Sequence, residues 1–263
     1  MKKILFTLLL AIAAGLMIAG CSDKSTNNNI SEGSYTDENY LLAKEDADSS
    51  MAEMTVDNEE VGDWVDWNPG LALVDSVSYD STSGWHVRAR TFENDYMTHA
   101  VVDSFRMTDL DSQYQFRRDS TTNIFERRLK KSFEKTARPE SLGYYWTKTR
   151  ERNTHWEGLA DSVTNLNGDF NRHWAGENAF RAFDRVVEGT ATDIQFYTAD
   201  IRDGRPTYPF DGTFNGSMTL DVVTAQRTKH IEATLVVTYF PDHYHARLES
   251  GDNFWEWDHY YNP

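Results

Sequence analysis

The stretch Ile231-Glu232-Ala233-Thr234-Leu235-Val236-Val237-Thr238-Tyr239 decides the fold. Ile231, Ala233, Leu235, Val237 and Tyr239 occupy every second position, with Glu232, Thr234, Val236 and Thr238 between them. Side chains alternate sides along a strand, so this spacing makes one apolar face and one mainly polar face. The pattern recurs nearby and far away. Tyr244, Ala246 and Leu248 alternate with His245, Arg247 and Glu249, and Trp85, Val87 and Ala89 with His86, Arg88 and Arg90.

Clusters of turn-forming residues separate these runs: Asp80-Ser81-Thr82-Ser83-Gly84, Glu93-Asn94-Asp95, Asn165-Leu166-Asn167-Gly168 and Ser250-Gly251-Asp252-Asn253. Gly and Asn tolerate the positive φ of tight turns, so the runs read as hairpins. A longer loop is expected over residues 199–211. Residues 123–137 fit two periods. Phe125, Leu129 and Phe133 recur every four residues as on a helix, while Phe125, Arg127, Leu129, Lys131 and Phe133 alternate as on a strand. The flanking turns favour the strand. The expected fold is all-β: a long antiparallel up-and-down meander, curled into a barrel, a half-barrel or a sandwich. Arg88, Arg90, Arg127 and Lys131 on its faces argue against a barrel that spans a membrane.

The chain divides into three parts. Lys2 and Lys3 precede an apolar run that ends in Ile18-Ala19-Gly20-Cys21. A positive start, an apolar core and a small-residue end are the parts of an export signal, expected over residues 1–20. Residues 21–62 carry eleven acids against Lys24 and Lys44, and include Asn27-Asn28-Asn29. Such a stretch buries too little apolar surface to offset its ordering entropy, and reads as a disordered acidic tether. A single domain is expected over residues 63–263, where all eight tryptophans lie.

The run Ile18-Ala19-Gly20-Cys21 resembles the lipobox of bacterial lipoproteins. The resemblance implies cleavage before Cys21, a thioether-linked diacylglycerol on its sulfur and an acylated amine. Each buried methylene would contribute about 0.8 kcal/mol to membrane attachment. Ser22 behind the cysteine goes with the outer membrane in such proteins, while Asp23 leaves the leaflet open. Cys21 is the only cysteine, so the body has no disulfide. The segment Tyr208-Pro209-Phe210-Asp211-Gly212-Thr213 and the hairpins after it resemble the end of uncharacterised β-rich lipoproteins of environmental bacteria. That group has no assigned activity and implies none.

Lys and Arg total 26 against 42 Asp and Glu, for a net charge of −16. A body this acidic lacks the electrostatic footprint for nucleic acid or anionic headgroups. Nucleotide loops and the Gly-x-Ser-x-Gly elbow are absent. The oxygens of Asn165, Asn167 and Asp169 alternate as in a calcium loop, but no acid closes the frame, so a plain turn is expected there. No cofactor is expected. His243 and His245 flank Tyr244 and share a strand face, the spacing of a metal pair, with His259 in the following arm; no third ligand is identified, so two solvent-facing polar side chains are the favoured reading. Asn253, Trp255, Trp257 and His259 share another face, whose mixture of rings and polar atoms suits a ligand pocket. The leading expectation is a non-enzymatic envelope protein, anchored by its lipid, that binds an apolar or glycan ligand or an envelope protein. A structural role without ligand, and an enzyme built on His243 and His245, are the alternatives.

Fatty-acid labelling in a bacterial host should mark the wild-type chain. The Cys21→Ala variant should accumulate as an unlabelled precursor, and labelling that survives the substitution would overturn the lipobox reading.

Overall fold

A computed structural model describes residues 31–33, 40, 44, 76–135, 145–203 and 207–261. Cys21, its flanking run and the boundary at Asp63 lie outside these residues. The strands in chain order are β1 (Ser31–Glu32), β2 (Ser76–Asp80), β3 (Trp85–Asn94), β4 (Met97–Asp109), β5 (Tyr114–Gln115), β6 (Thr122–Lys135) and β7 (Tyr145–Glu157). They continue as β8 (Val163–Glu177), β9 (Arg181–Tyr197), β10 (Asp211–Thr224), β11 (Thr228–Tyr239), β12 (His243–Ser250) and β13 (Asn253–Tyr260). One short helix, α1 (Thr198–Arg202), follows β9. Residues 123–135 are therefore strand, as the flanking turns require.

The strands form one sheet in the order β1-β13-β12-β11-β10-β9-β8-β7-β6-β4-β3-β2, with β5 beside β4. All neighbours are antiparallel except β1, which runs parallel to β13. No ladder among the described residues joins β2 to β1, so the meander is open: neither a closed barrel nor two sheets. No helix among the described residues is long and apolar enough to cross a membrane.

Period-2 alternation sorts every strand into a core face and an outer face. One row of the core face runs across the ladders from His86 through Phe105 and Arg127 to Phe214, Val237 and Ala246. Nearer α1 the row is wholly aromatic and aliphatic: Met107, Phe125, Trp156, Leu166, Ile194 and Tyr239 are buried. Burying a side chain of this size contributes about 1.5–3 kcal/mol. The longer loops gather at this end and close it. Thr198 Oγ1 lies 2.8 Å from Thr164 Oγ1, Ile201 of α1 enters the core, and Tyr261 Oη donates to Pro209 O at 3.0 Å.

The cluster Asn165-Leu166-Asn167-Gly168, expected as a turn, lies inside β8. The ladder to β9 shifts register between Leu166 and Gly168, which makes it a β-bulge. Asn167 and Asp193 hold the bulge together. The Asp193 amide donates to Asn167 Oδ1 at 2.9 Å, with Asp193 at φ 50°. Gly168 is required because a Cβ there would lie 2.5 Å from Asn153 O. Asn and Gly served a bulge here, where the composition alone spelled a turn.

Residues in the stretch read as a tether are seated on the body. Ser31 and Glu32 pair with Asn253 and Phe254, the Gly33 amide donates to Phe254 O at 2.8 Å, and Tyr40 is 6% exposed in the second core cluster. The remaining positions of 21–62 lie outside the described residues.

Among the core-face arginines, Arg127 is 4% exposed and makes two hydrogen bonds to Asp103, at 3.0 and 2.9 Å. Arg88 adds a third to the same carboxylate at 2.7 Å. Burial pushes the Asp103 carboxyl up, but Arg127 and then Arg88 outweigh it and hold it below its ordinary 3.8. Because the folded value is the lower one, this stabilisation is fully present above about pH 4 and is lost as pH falls below that through the depressed folded value. Asp103→Ala leaves a buried guanidinium without this partner and should cost about 3–5 kcal/mol. Urea unfolding at pH 7 and at pH 3 checks both points, because the variant's deficit should shrink in acid.

Candidate functional site

The half of the core face away from α1 differs sharply between the two sides of the sheet. On β10 to β13 it is aliphatic and aromatic, with Met218, Leu220, Ile231, Ala233, Leu248 and Trp255 buried together. On β3 to β9 it is basic. Lys131, Arg150 and Arg172 are successive cross-strand partners on β6, β7 and β8. One row nearer α1 lie Arg88, Asp103 and Arg152; one row further out lie Lys148 and Arg185. Asp103 is the carboxylate set among these cations.

Like charges directly opposite one another destabilise a sheet. The face is partly buried as well as cationic, with Arg152 5% and Arg185 9% exposed. The outer face of the same strands carries the acids. Glu151 meets Lys130 at 2.5 Å, Glu188 accepts from Asn171 at 3.0 Å, and Asp184 lies 3.0 Å from His173.

Rings are interleaved with the cations. Phe133 stacks on Trp146 at 4.5 Å, Trp174 meets Phe183 edge-on at 5.2 Å, and the Arg152 guanidinium lies 5.8 Å from the Phe170 ring. The buried Trp174 Nε1 has no hydrogen-bond partner among the described residues. A shallow depression of only about 20 Å³, open to solvent, lies between Arg150, Arg152, Arg172, Phe170, Val187 and Phe214. Gly189 shapes its floor. The Phe214 ring lies against it so closely that a Cβ there would be 2.2 Å from Cζ.

The residues expected to bind a ligand are placed differently. Trp255 and Trp257 share the core face as read, but Trp255 is 0% exposed. Tyr40 covers both rings, at 5.8 and 5.7 Å between centroids, and Lys44 Nζ lies 5.7 Å over Trp257. A tyrosine from the acidic stretch fills the place expected for a ligand. His259 is exposed and stacks on Tyr244 at 4.9 Å.

His243 and His245 share the outer face, and each has its own carboxylate: Asp242 at 2.7 Å and Asp258 at 2.8 Å. The bond to His243 lowers the Asp242 carboxyl. His259 pairs with Tyr244 and so projects from the opposite face, which separates it from both. No group of three His, Cys, Asp or Glu among the described residues is arranged to hold a metal ion.

The basic face was written in the sequence as Lys and Arg at period 2: Arg88 and Arg90, Arg127 and Lys131, then Lys148, Arg150 and Arg152. Net charge concealed it, because the acids of the same strands occupy the alternate positions. No protein-family model, curated protein or solved structure matches the chain.

Zinc added to the protein should bind more weakly than micromolar at His243 and His245, since the pair leaves a zinc ion short of its usual four ligands. Calorimetric titration measures this. Sub-micromolar binding that His243→Ala abolishes would restore the metal reading.

Proposed function

We propose that the chain is a lipid-anchored protein of the bacterial cell envelope, held in the outer membrane through Cys21, and that its β domain binds an acidic glycan without catalysis. The observation that carries this reading is the in-register row Lys131, Arg150 and Arg172 beside Phe170 and Trp174 on one face. Guanidinium groups take carboxylates and sulfates in paired hydrogen bonds. Aromatic faces take the apolar side of sugar rings. Neighbouring strands lie about 4.8 Å apart, close to the length of a sugar unit, so a glycan running across them meets one cation per residue. The lipobox-like run at Ile18 to Cys21 supports the anchor and the compartment.

A structural or assembly role without ligand is the second reading. It is favoured by the complete burial of Trp255 under Tyr40, which fills the aromatic cluster from within.

Polygalacturonate is a suitable probe and neutral dextran its control. Binding of the first alone is expected, weakening as salt screens the charges. Arg150→Ala and Arg172→Ala should each reduce it about tenfold, the scale of one charge-assisted hydrogen bond. Equal binding of both polymers, or binding indifferent to both substitutions, would leave the structural reading in place.

A further inference from the structure

We propose that β6 to β9 carry four tandem subsites on the core face, one per strand, which select an acidic polysaccharide by its length. The track presupposes the glycan reading.

Each of these strands sets a cation and a ring two residues apart. On β6 they are Lys131 and Phe133, and on β7 Lys148 and Trp146. On β8 they are Arg172 and Trp174, and on β9 Arg185 and Phe183. Residues two apart share a strand face, so each pair presents both groups on one side. Chain direction reverses from strand to strand, and the order of the pair reverses with it. The ring therefore always stands farther from α1 than its cation. Packing asks for rings, but it does not ask for a cation on the same side of every ring.

The rings join into one line across the sheet. Phe133 stacks on Trp146 at 4.5 Å, Trp146 meets Trp174 edge-on at 6.4 Å, and Trp174 meets Phe183 edge-on at 5.2 Å. All are part-exposed. Gly176 makes room for the line, since a Cβ there would lie 2.9 Å from both Phe183 Cε1 and Trp146 Cβ. Both ends are marked. On β10 the places opposite Arg185 and Phe183 are taken by Leu220 and Val222. On β4 the place opposite Lys131 is taken by Val101, with exposed His99 opposite Phe133. β3 repeats the pair as Arg90 and Phe92, but β4 separates it from the track.

Such a site fits a repeating ligand. One sugar unit spans about one strand spacing, ~4.8 Å. It offers a carboxylate or sulfate to the cation and an apolar ring side to the aromatic. A monosaccharide engages one subsite. A chain presents each further unit at high effective concentration, so every unit up to the fourth adds to affinity. Single-stranded nucleic acid also combines charge with stackable rings. The envelope location proposed for this chain favours the glycan.

Calorimetry of the full chain with galacturonate oligomers of one to eight units tests this. Affinity should rise about tenfold with each unit from two to four, the scale of one charge-assisted contact, and then stay level. Phe183→Ala, which empties the last ring position, should bring the plateau to three units and leave dimer affinity nearly unchanged. Circular dichroism checks that the variant folds, and the wild-type series decides without it. Affinity independent of length, or rising to eight units without a plateau, would overturn the tandem subsites while the glycan reading stands. The same plateau with oligothymidylate, shifted by Phe183→Ala, would overturn the glycan as occupant. If neither the acidic oligomers nor polygalacturonate bind, the glycan reading fails and the track with it.

Discussion

Everything in this fold hangs on one constraint: adjacent strands are in register over long ladders, so parity decides which side of the sheet each side chain serves. Between β3 and β13 the ladders are interrupted by register shifts at only a few places, such as Leu166/Gly168 and Asp211/Thr213. A slip of one residue anywhere would carry a whole strand's apolar set to the other face. The bulge at Asn167 and Asp193 shows how local such a correction is. It absorbs one residue, after which Gly168 and Ala191 resume on the core face.

The same constraint makes much of the fold legible in the sequence. The alternations of 231–239 and 244–248 lie on the core face residue for residue. Turns closed by side-chain oxygens were legible too, as at Asp80, whose carboxylate accepts from the Thr82 amide at 2.9 Å. Three things were not. The Asn165 cluster carries turn chemistry, and only tertiary pairing tells a bulge from a turn. Tyr40 is an isolated apolar residue among acids, and nothing local announces that Trp255 will bury it. On β3, Trp85, Val87 and Ala89 are the more apolar set, yet it is His86 that is buried, stacked at 4.6 Å on Phe105. Burial holds that imidazole below its usual 6.5, although a backbone contact with Gln115 pulls the other way. The neighbours across the ladder, not the strand's own composition, chose the face.

Charge was misread for a related reason. A net of −16 describes a sphere with its charge spread evenly. A sheet is not a sphere. Over β6 to β9 most acids stand at one parity, with Arg128 and Lys130 among them, and the other parity carries Lys and Arg, so the sum says nothing about either face. Function in such a molecule is better sought in the charge of each face than in the charge of the chain.

The topology also sets an order of events in folding. Along the meander every strand pairs with one adjacent or nearly adjacent in the chain, so each ladder from β2 to β13 closes a short loop and can zip from its turn. The pairing of Ser31 with Asn253 is the exception, spanning nearly the whole sequence. It has no surface to form on until β13 is laid down. The residues that leave the ribosome early are thus among the last to be placed, and the edge beside β13 stays unpaired until they arrive.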